Sequence, residues 1–150
     1  MNITEEVTYN VDQIDKVIEI NIMPYLQNVR TILFFGSLGA GKTTLIKRLI
    51  YALGSKKIVT SPTFNYVNFY QGNAVQIQHF DLYRLNAWED AEELGLHEQM
   101  GAEGSLSLIE WPDIAHLFFQ NEKKSYEVLE LHISYDLSNH AVRRMLLKRL

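Results

Sequence analysis

A glycine-rich stretch that ends in a lysine and two threonines carries the clearest chemical signal in this sequence. Residues 36–44 read GSLGAGKTT and fit the pattern G-x-x-x-x-G-K-[ST]. Glycines let the backbone turn tightly, so that consecutive N–H groups point at phosphate oxygens, and the following helix adds the positive end of its dipole. The pattern therefore predicts a loop that holds the phosphates of a nucleotide together with Mg²⁺.

Two side chains of this loop have defined tasks in such a site. Lys42 would reach the β- and γ-phosphates, and the hydroxyl of Thr43 would coordinate Mg²⁺. The other loop positions that would surround the phosphates are Gly36, Ser37, Leu38, Gly39, Ala40, Gly41 and Thr44. The loop by itself leaves open whether the protein is a kinase, a switch or an ATPase.

Two acidic residues at the ends of apolar runs could complete the site. Asp81 stands in HFDLYRL, and Glu110 ends the apolar run of residues 106–110. Ligands of open α/β sheets bind at the carboxyl ends of the strands, which is where both acids are expected. The run before Glu110 is the more apolar and better resembles a strand that presents an acid to Mg²⁺. Either acid could instead be a solvated charge at a strand end or a helix cap.

Other polar residues near these motifs carry weaker signals. In the segment SPTF, Pro62 stiffens the chain and Thr63 offers a hydroxyl that could sense the γ-phosphate or Mg²⁺, although a plain turn fits the same residues. The five histidines show no spacing typical of metal ligands, so we interpret them as core or surface residues. His79 is the histidine nearest to the expected site.

The elements that must position these residues alternate between strands and helices. Residues 31–35 predict a strand buried on both faces, and the apolar spacing after the loop predicts a helix that ends at Gly54. Further strands are expected over residues 3–9, 65–70, 74–80, 105–109, 126–135 and 141–147. We therefore predict one domain with an α/β fold, a P-loop NTPase-like three-layer sandwich whose mixed central sheet carries antiparallel additions.

Two further helices are predicted from capping signals. One starts near Asn10, which can cap together with Gln13, and the other covers residues 86–94, with Asn86 and Glu89 as the capping pair. Gly95 is expected to end the second helix. The apolar stripe of the first helix is expected to consist of Val11, Ile14, Val17, Ile18 and Tyr25.

Composition and charge exclude several kinds of protein. The sequence has 150 residues, a formal net charge of -4 and no cysteine, which excludes disulfides, thiolate catalysis and cysteine metal sites. The negative charge does not favour DNA binding. No apolar run approaches the ~20 residues of a membrane helix, and the start MNITEEVTYN lacks the apolar core of a signal peptide. We expect a cytoplasmic protein without a membrane partner.

The order of four motifs resembles one protein family closely. GSLGAGKTT, TSPTFNYV, HFDLYRL and LIEWPD follow one another as in the bacterial TsaE (YjeE) family of P-loop ATPases, which serve tRNA threonylcarbamoyladenosine biosynthesis. The first motif is shared with many nucleotide-binding proteins, whereas the other three in this order are far more specific. The resemblance extends from about Thr31 to Asp113 and is looser at both ends.

The resemblance implies a role for each motif residue. It implies that the loop binds ATP, that Thr43 and Glu110 hold Mg²⁺, and that Asp81 is needed for hydrolysis. It also implies that Thr63 lies in a switch-like segment and that Trp111 contacts or reports on the site. A rough alignment with the family further places Asp12 near the adenine.

The same resemblance implies partners. Members of the family act with the subunits TsaB and TsaD, which carry the threonylcarbamoyl transfer to the adenosine next to the anticodon in tRNAs that read ANN codons. ATP hydrolysis resets that complex between turnovers. Two departures stand out: Ser37 replaces the usual Asp of the loop, and Asn139-His140 replaces a frequent Gly-Arg. The first removes a charge near the phosphates, and the second leaves open which residues of the carboxyl-terminal segment contact the base.

Three alternative functions remain at this level. A small-molecule kinase usually has an Arg-rich lid, but residues 96–104 are acidic. A GTPase switch would carry an N-K-x-D motif, and Asp81 would be followed by a glycine at its third position; the sequence has neither. A scaffold without catalysis would not need Lys42, Thr43, Asp81 and Glu110 together.

Overall fold

The strands of the computed structural model, which describes residues 4–62, 64–121 and 123–150, form one mixed sheet. The strands are β1 Thr4–Asn10, β2 Val29–Phe35, β3 Val67–Gln71, β4 Gln76–Asp81, β5 Ser105–Glu110, β6 Glu127–Tyr135 and β7 Val142–Arg149. These seven described strands lie in the order β1-β7-β6-β2-β5-β4-β3. The glycine-rich loop thus follows the strand at the centre of the sheet.

The centre of the sheet is parallel and its edges are antiparallel. β2 pairs in parallel with β5 and β6, and β5 also pairs in parallel with β4. β7 and β1 extend one edge, and β3 extends the other, each by antiparallel pairing. β5 is buried along its whole length, as expected for a strand covered on both faces. This topology confirms the predicted mixed sheet with antiparallel additions.

Helices cover both faces of the sheet. They are a 3-10 turn Val11–Gln13, α1 Ile14–Val17, a π-helical turn Ile18–Ile22, a 3-10 turn Met23–Tyr25, α2 Lys42–Ala52, α3 Trp88–Glu93, α4 Leu96–Gln99, a 3-10 turn Pro112–Ala115 and α5 His116–Asn121. One apolar core packs Phe34 and Leu108 against residues of α1 and α2. The other packs Leu33 and Ile109 against residues of α3, α4 and α5. No helix in the described ranges is long and apolar enough to cross a membrane.

The first helical segment is less regular than the sequence pattern predicts. The backbone N–H of Asn10 donates to Oε1 of Gln13 at 3.0 Å, which confirms that capping contact. Ile14, Val17 and Ile18 are buried as predicted, but Val11 is 64% exposed, so its place in the apolar stripe is wrong. Val11 belongs to the preceding 3-10 turn, whose three-residue period does not continue the α-helical face.

The second predicted capping pair is shifted by one residue. The carboxylate of Asp90, not of Glu89, accepts the backbone N–H groups of Asn86 and Ala87 at 2.9 and 3.0 Å. Ala87 has an extended backbone, so the helix begins at Trp88 and Asp90 becomes its third residue. Gly95 follows this helix with a φ of 70°, in agreement with its predicted role as terminator.

Candidate functional site

Three parallel strands, β2, β5 and β4, bring the loop and both acids together at their carboxyl ends. Glu110 on β5 lies beside Phe34 on β2 and beside Asp81 on β4. Side chains alternate between faces along a strand, so Asp81 and Glu110 share the face of Ile77 and Leu108, which belong to the core beneath α2. The loop begins directly after β2 and leads into α2. The sheet therefore places both acids on the side of the loop.

The glycines of the loop are required by both conformation and space. Gly39 and Gly41 have φ values of 77° and 104°, in the left-handed region where a side chain would cause strain. A Cβ on Gly36 would lie 2.6 Å from the carbonyl oxygen of Ile133 on β6. The loop can therefore follow this path only with glycine at these positions.

Lys42 is buried at the start of α2 and bonds back to its own loop. Its Nζ donates to the carbonyl oxygen of Gly36 at 2.5 Å and to that of Ser37 at 3.1 Å. The same Nζ lies 3.8 Å from the centroid of the Trp111 ring. The ammonium group is thus held between the loop backbone and an aromatic face.

The charge of Lys42 is balanced by surrounding acids. Burial lowers the pKa of Lys42, and the negative charges of Glu110, Asp81 and Asp113 oppose that shift. Carboxylates near an amine favour its protonated form. The site thus combines one buried cation with several carboxylates around it.

Glu110 connects the start of α2 with β4. Its Oε1 accepts a hydrogen bond from the hydroxyl of Thr43 at 2.6 Å, and its Oε2 lies 2.7 Å from Nε2 of His79. Burial raises the pKa of Glu110, but the hydrogen bond and charge of His79, the Thr43 hydroxyl and the charge of Lys42 together bring the pKa below its ordinary value. An ionised carboxylate and a hydroxyl are oxygen ligands that Mg²⁺ prefers, so Thr43 and Glu110 could hold this ion.

The sequence places His79 nearest to the expected site among the histidines but gives it no role there. It is completely buried, which agrees with the interpretation as a core residue, but its ring bonds to Glu110. The other ring nitrogen, Nδ1, has no hydrogen-bond partner among the described residues. The signal in the sequence is the alternation in HFD, which puts His79 on the same face of β4 as Asp81.

Asp81 is half-buried beside Glu110 and is easier to protonate than an exposed aspartate. Burial raises its pKa, the backbone N–H of Tyr83 opposes the rise, and the charge of Glu110 adds to it. The Tyr83 N–H donates to Oδ1 at 3.0 Å, which fixes the orientation of the carboxyl group. A carboxylate with a raised pKa is suited to accept a proton or a hydrogen bond from water.

A cavity of about 350 Å³ lies between the loop and the strand ends. Its lining consists of Leu38, Gly39, Ala40, Gly41, Lys42, Thr43, Thr44, Ser61, Asp81, Tyr83, Glu110 and Trp111. Trp111 has a φ of 53°, which is unusual for a bulky residue and often accompanies a functional site. Its ring lies 4.9 Å from the Tyr83 ring and forms a wall beside Lys42.

The structure does not bring Asp12 into this cavity, and it does not describe Thr63. Asp12 is exposed and lines a separate cavity of about 390 Å³, together with Thr44 and Arg48. Its contact with adenine stays a prediction. Thr63 lies outside the described residues, so its switch role also stays a prediction, while Ser61 of the same segment lines the main cavity.

Comparison with known families agrees with the motif order. The family model "Threonylcarbamoyl adenosine biosynthesis protein TsaE" matches residues 9–145. The chain belongs to the TsaE family. The resemblance carried by the four motifs is therefore confirmed, and the match extends beyond them at both ends.

Curated TsaE proteins from several bacteria are similar to this chain. The Rickettsia conorii protein is 43% identical over 84 residues, covering 55% of this chain and 47% of that protein. The Bacillus subtilis protein is 42% identical over 82 residues, covering 55% and 48%. The Haemophilus influenzae protein is 36% identical over 98 residues, covering 65% and 61%. All three are named tRNA threonylcarbamoyladenosine biosynthesis protein TsaE, and the match to the first two spans about half of their length.

A solved structure supports the fold. The crystal structure of Bacillus subtilis YdiB superposes with a TM-score of 0.68, covering 99% of this chain and 86% of that chain. The two sequences are 23% identical, so this likeness concerns the architecture. It agrees with the P-loop NTPase-like arrangement of the TsaE chain.

Proposed function

We propose that this chain binds ATP with Mg²⁺ in the cytoplasm and hydrolyses it to support threonylcarbamoyl modification of the adenosine next to the anticodon in tRNAs that read ANN codons. The observation that carries the proposal is the convergence of Lys42, Thr43, Asp81 and Glu110 on one cavity beside the glycine loop. Membership of the TsaE family supports the tRNA-modification pathway.

The loop and Lys42 would bind the phosphates. Backbone N–H groups and a buried ammonium are the groups that stabilise phosphoryl oxygens in such sites. Mg²⁺, held by Thr43 and Glu110, would neutralise charge on the phosphates when bound. Because Glu110 is ionised and already bonded to Thr43, the two oxygen ligands need little rearrangement.

Asp81 would orient or deprotonate the attacking water. Its carboxyl group is fixed by the Tyr83 N–H, and its raised pKa makes it a stronger base than an exposed aspartate. The ring of Trp111 borders the same cavity and would limit the access of other water. Lys42 would meanwhile stabilise negative charge on the transferring group.

Partners would complete the site. Among the described residues that line the cavity there is no arginine or glutamine to act as a finger or to orient water. We therefore propose that the chain alone turns over slowly and that TsaB and TsaD stimulate it, with tRNA contacted through that complex. An arginine supplied in trans is worth about 10³–10⁵ in rate in other nucleotide hydrolases.

Reconstitution of tRNA modification tests the proposal. TsaB, TsaD, tRNA, an activated threonylcarbamoyl donor, ATP and Mg²⁺ would be incubated with and without this chain, and modified tRNA and released phosphate would be counted over many turnovers. We expect sustained modification only with the chain, and none above background with Lys42→Ala. Equal modification without the chain would contradict the proposed role. Phosphorylation of a small molecule in a substrate screen would point to a kinase instead.

A further inference from the structure

Two side chains from the carboxyl-terminal hairpin of β6 and β7 contact the glycine loop. This hairpin lies on the other side of β2 from β5. The hydroxyl of Tyr135 on β6 donates to the carbonyl oxygen of Gly39. Nε of Arg143 on β7 donates to the carbonyl oxygen of Ala40 at 2.9 Å. We propose that Tyr135 and Arg143 are positioning residues that set the loop's geometry for phosphate binding. This inference rests on the proposed nucleotide binding.

Arg143 is held in place by contacts other than its bond to the loop. Strand register sets it beside Tyr9 on β1 and beside Tyr135 on β6, so the three side chains form a row on one face of the sheet. Its guanidinium carbon lies 4.1 Å from the centroid of the Tyr135 ring. Nη1 donates to the carbonyl oxygen of His140 at 2.5 Å. A guanidinium fixed in this way presents Nε to the loop in one direction.

The two side chains lie directly against the glycines of the loop. A Cβ on Gly39 would lie 3.0 Å from the hydroxyl oxygen of Tyr135, and a Cβ on Gly41 would lie 3.5 Å from Nε of Arg143. A hydroxyl and a guanidinium therefore pack where a side chain on the loop would otherwise stand. The glycines of the motif permit this close approach as well as the turn itself.

The contacts fix the direction of the loop amides. In a trans peptide the carbonyl and the following N–H point in opposite directions. Because Arg143 bonds to the carbonyl of Ala40, the N–H of Gly41 points away from β7. Because Tyr135 bonds to the carbonyl of Gly39, the N–H of Ala40 points away from β6. The Ala40 N–H donates to the carbonyl of Ser37 at 3.0 Å, which closes the loop. The Tyr135 contact thus supports the Ser37–Ala40 turn, and the Arg143 contact orients the N–H of Gly41, an amide of the kind that such a loop directs at phosphate oxygens.

The geometry distinguishes Arg143 from a residue that touches the ligand. Arg143 does not belong to the lining of the cavity between the loop and the two acids, and its bonds go to backbone carbonyls. Arg144, the next residue on β7, provides a matched control. Its side chain projects to the other face of the strand and forms an exposed ion pair with Glu6.

Binding of two ligands tests this role on the full chain. Calorimetry with Mg²⁺ would give affinities for ATP and for inorganic tripolyphosphate, which lacks the nucleoside. Arg143→Gln is expected to lower the affinity for both ligands by the same factor, about tenfold. Tyr135→Phe is expected to lower both affinities by about threefold. Arg144→Gln should change both by less than about twofold. Urea unfolding of each variant shows that the loss is not a loss of fold.

The possible outcomes separate the positioning role of Arg143 from the nucleotide binding on which it rests. If the wild-type chain binds neither ligand, the proposed nucleotide binding fails. If it binds both and Arg143→Gln binds equally well, the positioning role alone is overturned. A loss for ATP without a loss for tripolyphosphate would assign Arg143 to the nucleoside and overturn it too. Should Arg143→Gln not fold, Tyr135→Phe, which removes one hydroxyl, supplies the same comparison.

Discussion

Two buried glutamates flank β2, one on each neighbouring strand, and they have different surroundings. Glu110 on β5 is 2% exposed and Glu130 on β6 is 1% exposed. Each carboxylate is bonded to histidine: Glu110 to His79, and Glu130 to His116 and His132. Burial next to histidine therefore does not by itself identify a functional acid in this protein.

Strand register explains the difference. Glu110 lies beside Phe34, whereas Glu130 lies beside Leu33. Consecutive residues of β2 face opposite sides of the sheet, so the two acids point to opposite faces. Phe34 belongs to the core beneath α2, and Leu33 belongs to the core beneath α3, α4 and α5. A shift of one residue separates the acid that meets the loop from the acid that does not.

The partners of Glu130 indicate a structural role. One oxygen contacts Nε2 of His116 on α5, and the other lies 3.0 Å from Nε2 of His132. Burial raises the pKa of Glu130, but the hydrogen bonds from His132 and His116 bring it below its ordinary value. The ring of Phe35 stacks on His132 with a centroid distance of 4.5 Å. Glu130 thus links α5 to the sheet, whereas one oxygen of Glu110 accepts a hydrogen bond from Thr43 at the start of α2.

The largest effect is expected from the acid beside Glu110. Asp81→Asn should lower ATP turnover by about 10³-fold, because general-base assistance of this kind contributes about 10²–10⁴. ATP affinity should stay within about twofold. Phosphate release in the presence of TsaB and TsaD measures the first quantity and calorimetry the second. Hydrolysis at the wild-type rate would remove Asp81 from the mechanism.

The two glutamates can be compared directly by the same substitution. Glu110→Gln should weaken Mg²⁺-dependent ATP binding by about 100-fold, since a charged ligand of the ion is lost. Glu130→Gln should change this affinity by less than about threefold, because its partners lie on the other face. Titration of ATP at several Mg²⁺ concentrations measures both. Equal losses in the two variants would show that Glu110 has no special role in Mg²⁺ binding.

The histidine partners sharpen the comparison further. His79→Phe should lower the apparent Mg²⁺ affinity about tenfold, as is typical when a residue that orients a metal ligand is removed. ATP binding without Mg²⁺ should stay unchanged, which separates this role from a general loss of structure. His132→Phe, the corresponding change beside Glu130, serves as the control. An equal shift in both variants would show that His79 does not act through Glu110.

The smallest effect concerns stability and pH. The folded pKa of Glu130 is lowered, so its stabilising contribution is present above the unfolded pKa and is lost as the pH falls through the folded pKa. Glu130→Gln should lower the free energy of unfolding by about 1–3 kcal/mol at neutral pH. Urea unfolding over a pH series should show this gap closing in acid. A gap that is independent of pH would contradict an ionised, histidine-bonded Glu130.

Much of the site could be predicted because its signals are local. The loop, the buried strand before it and the helix after it follow from glycine conformation and apolar periodicity within a short window. Asp81 and Glu110 could be proposed because each ends an apolar run. The predicted capping pair of Asn86 and Glu89 was wrong by one residue. The extended backbone of Ala87 makes the helix begin at Trp88, so that Asp90 takes the capping role.

By itself, the sequence determined the phosphate-type loop, the family and the two candidate acids, because these depend on neighbouring residues. The tertiary structure alone decided that His79 bonds to Glu110 and that Glu130 does not face the loop. It also brought Tyr135 and Arg143 to carbonyl groups that lie 96 and 103 residues away in the chain. The physical reason is that sheet order and strand register arise from long-range pairing, which no local pattern encodes.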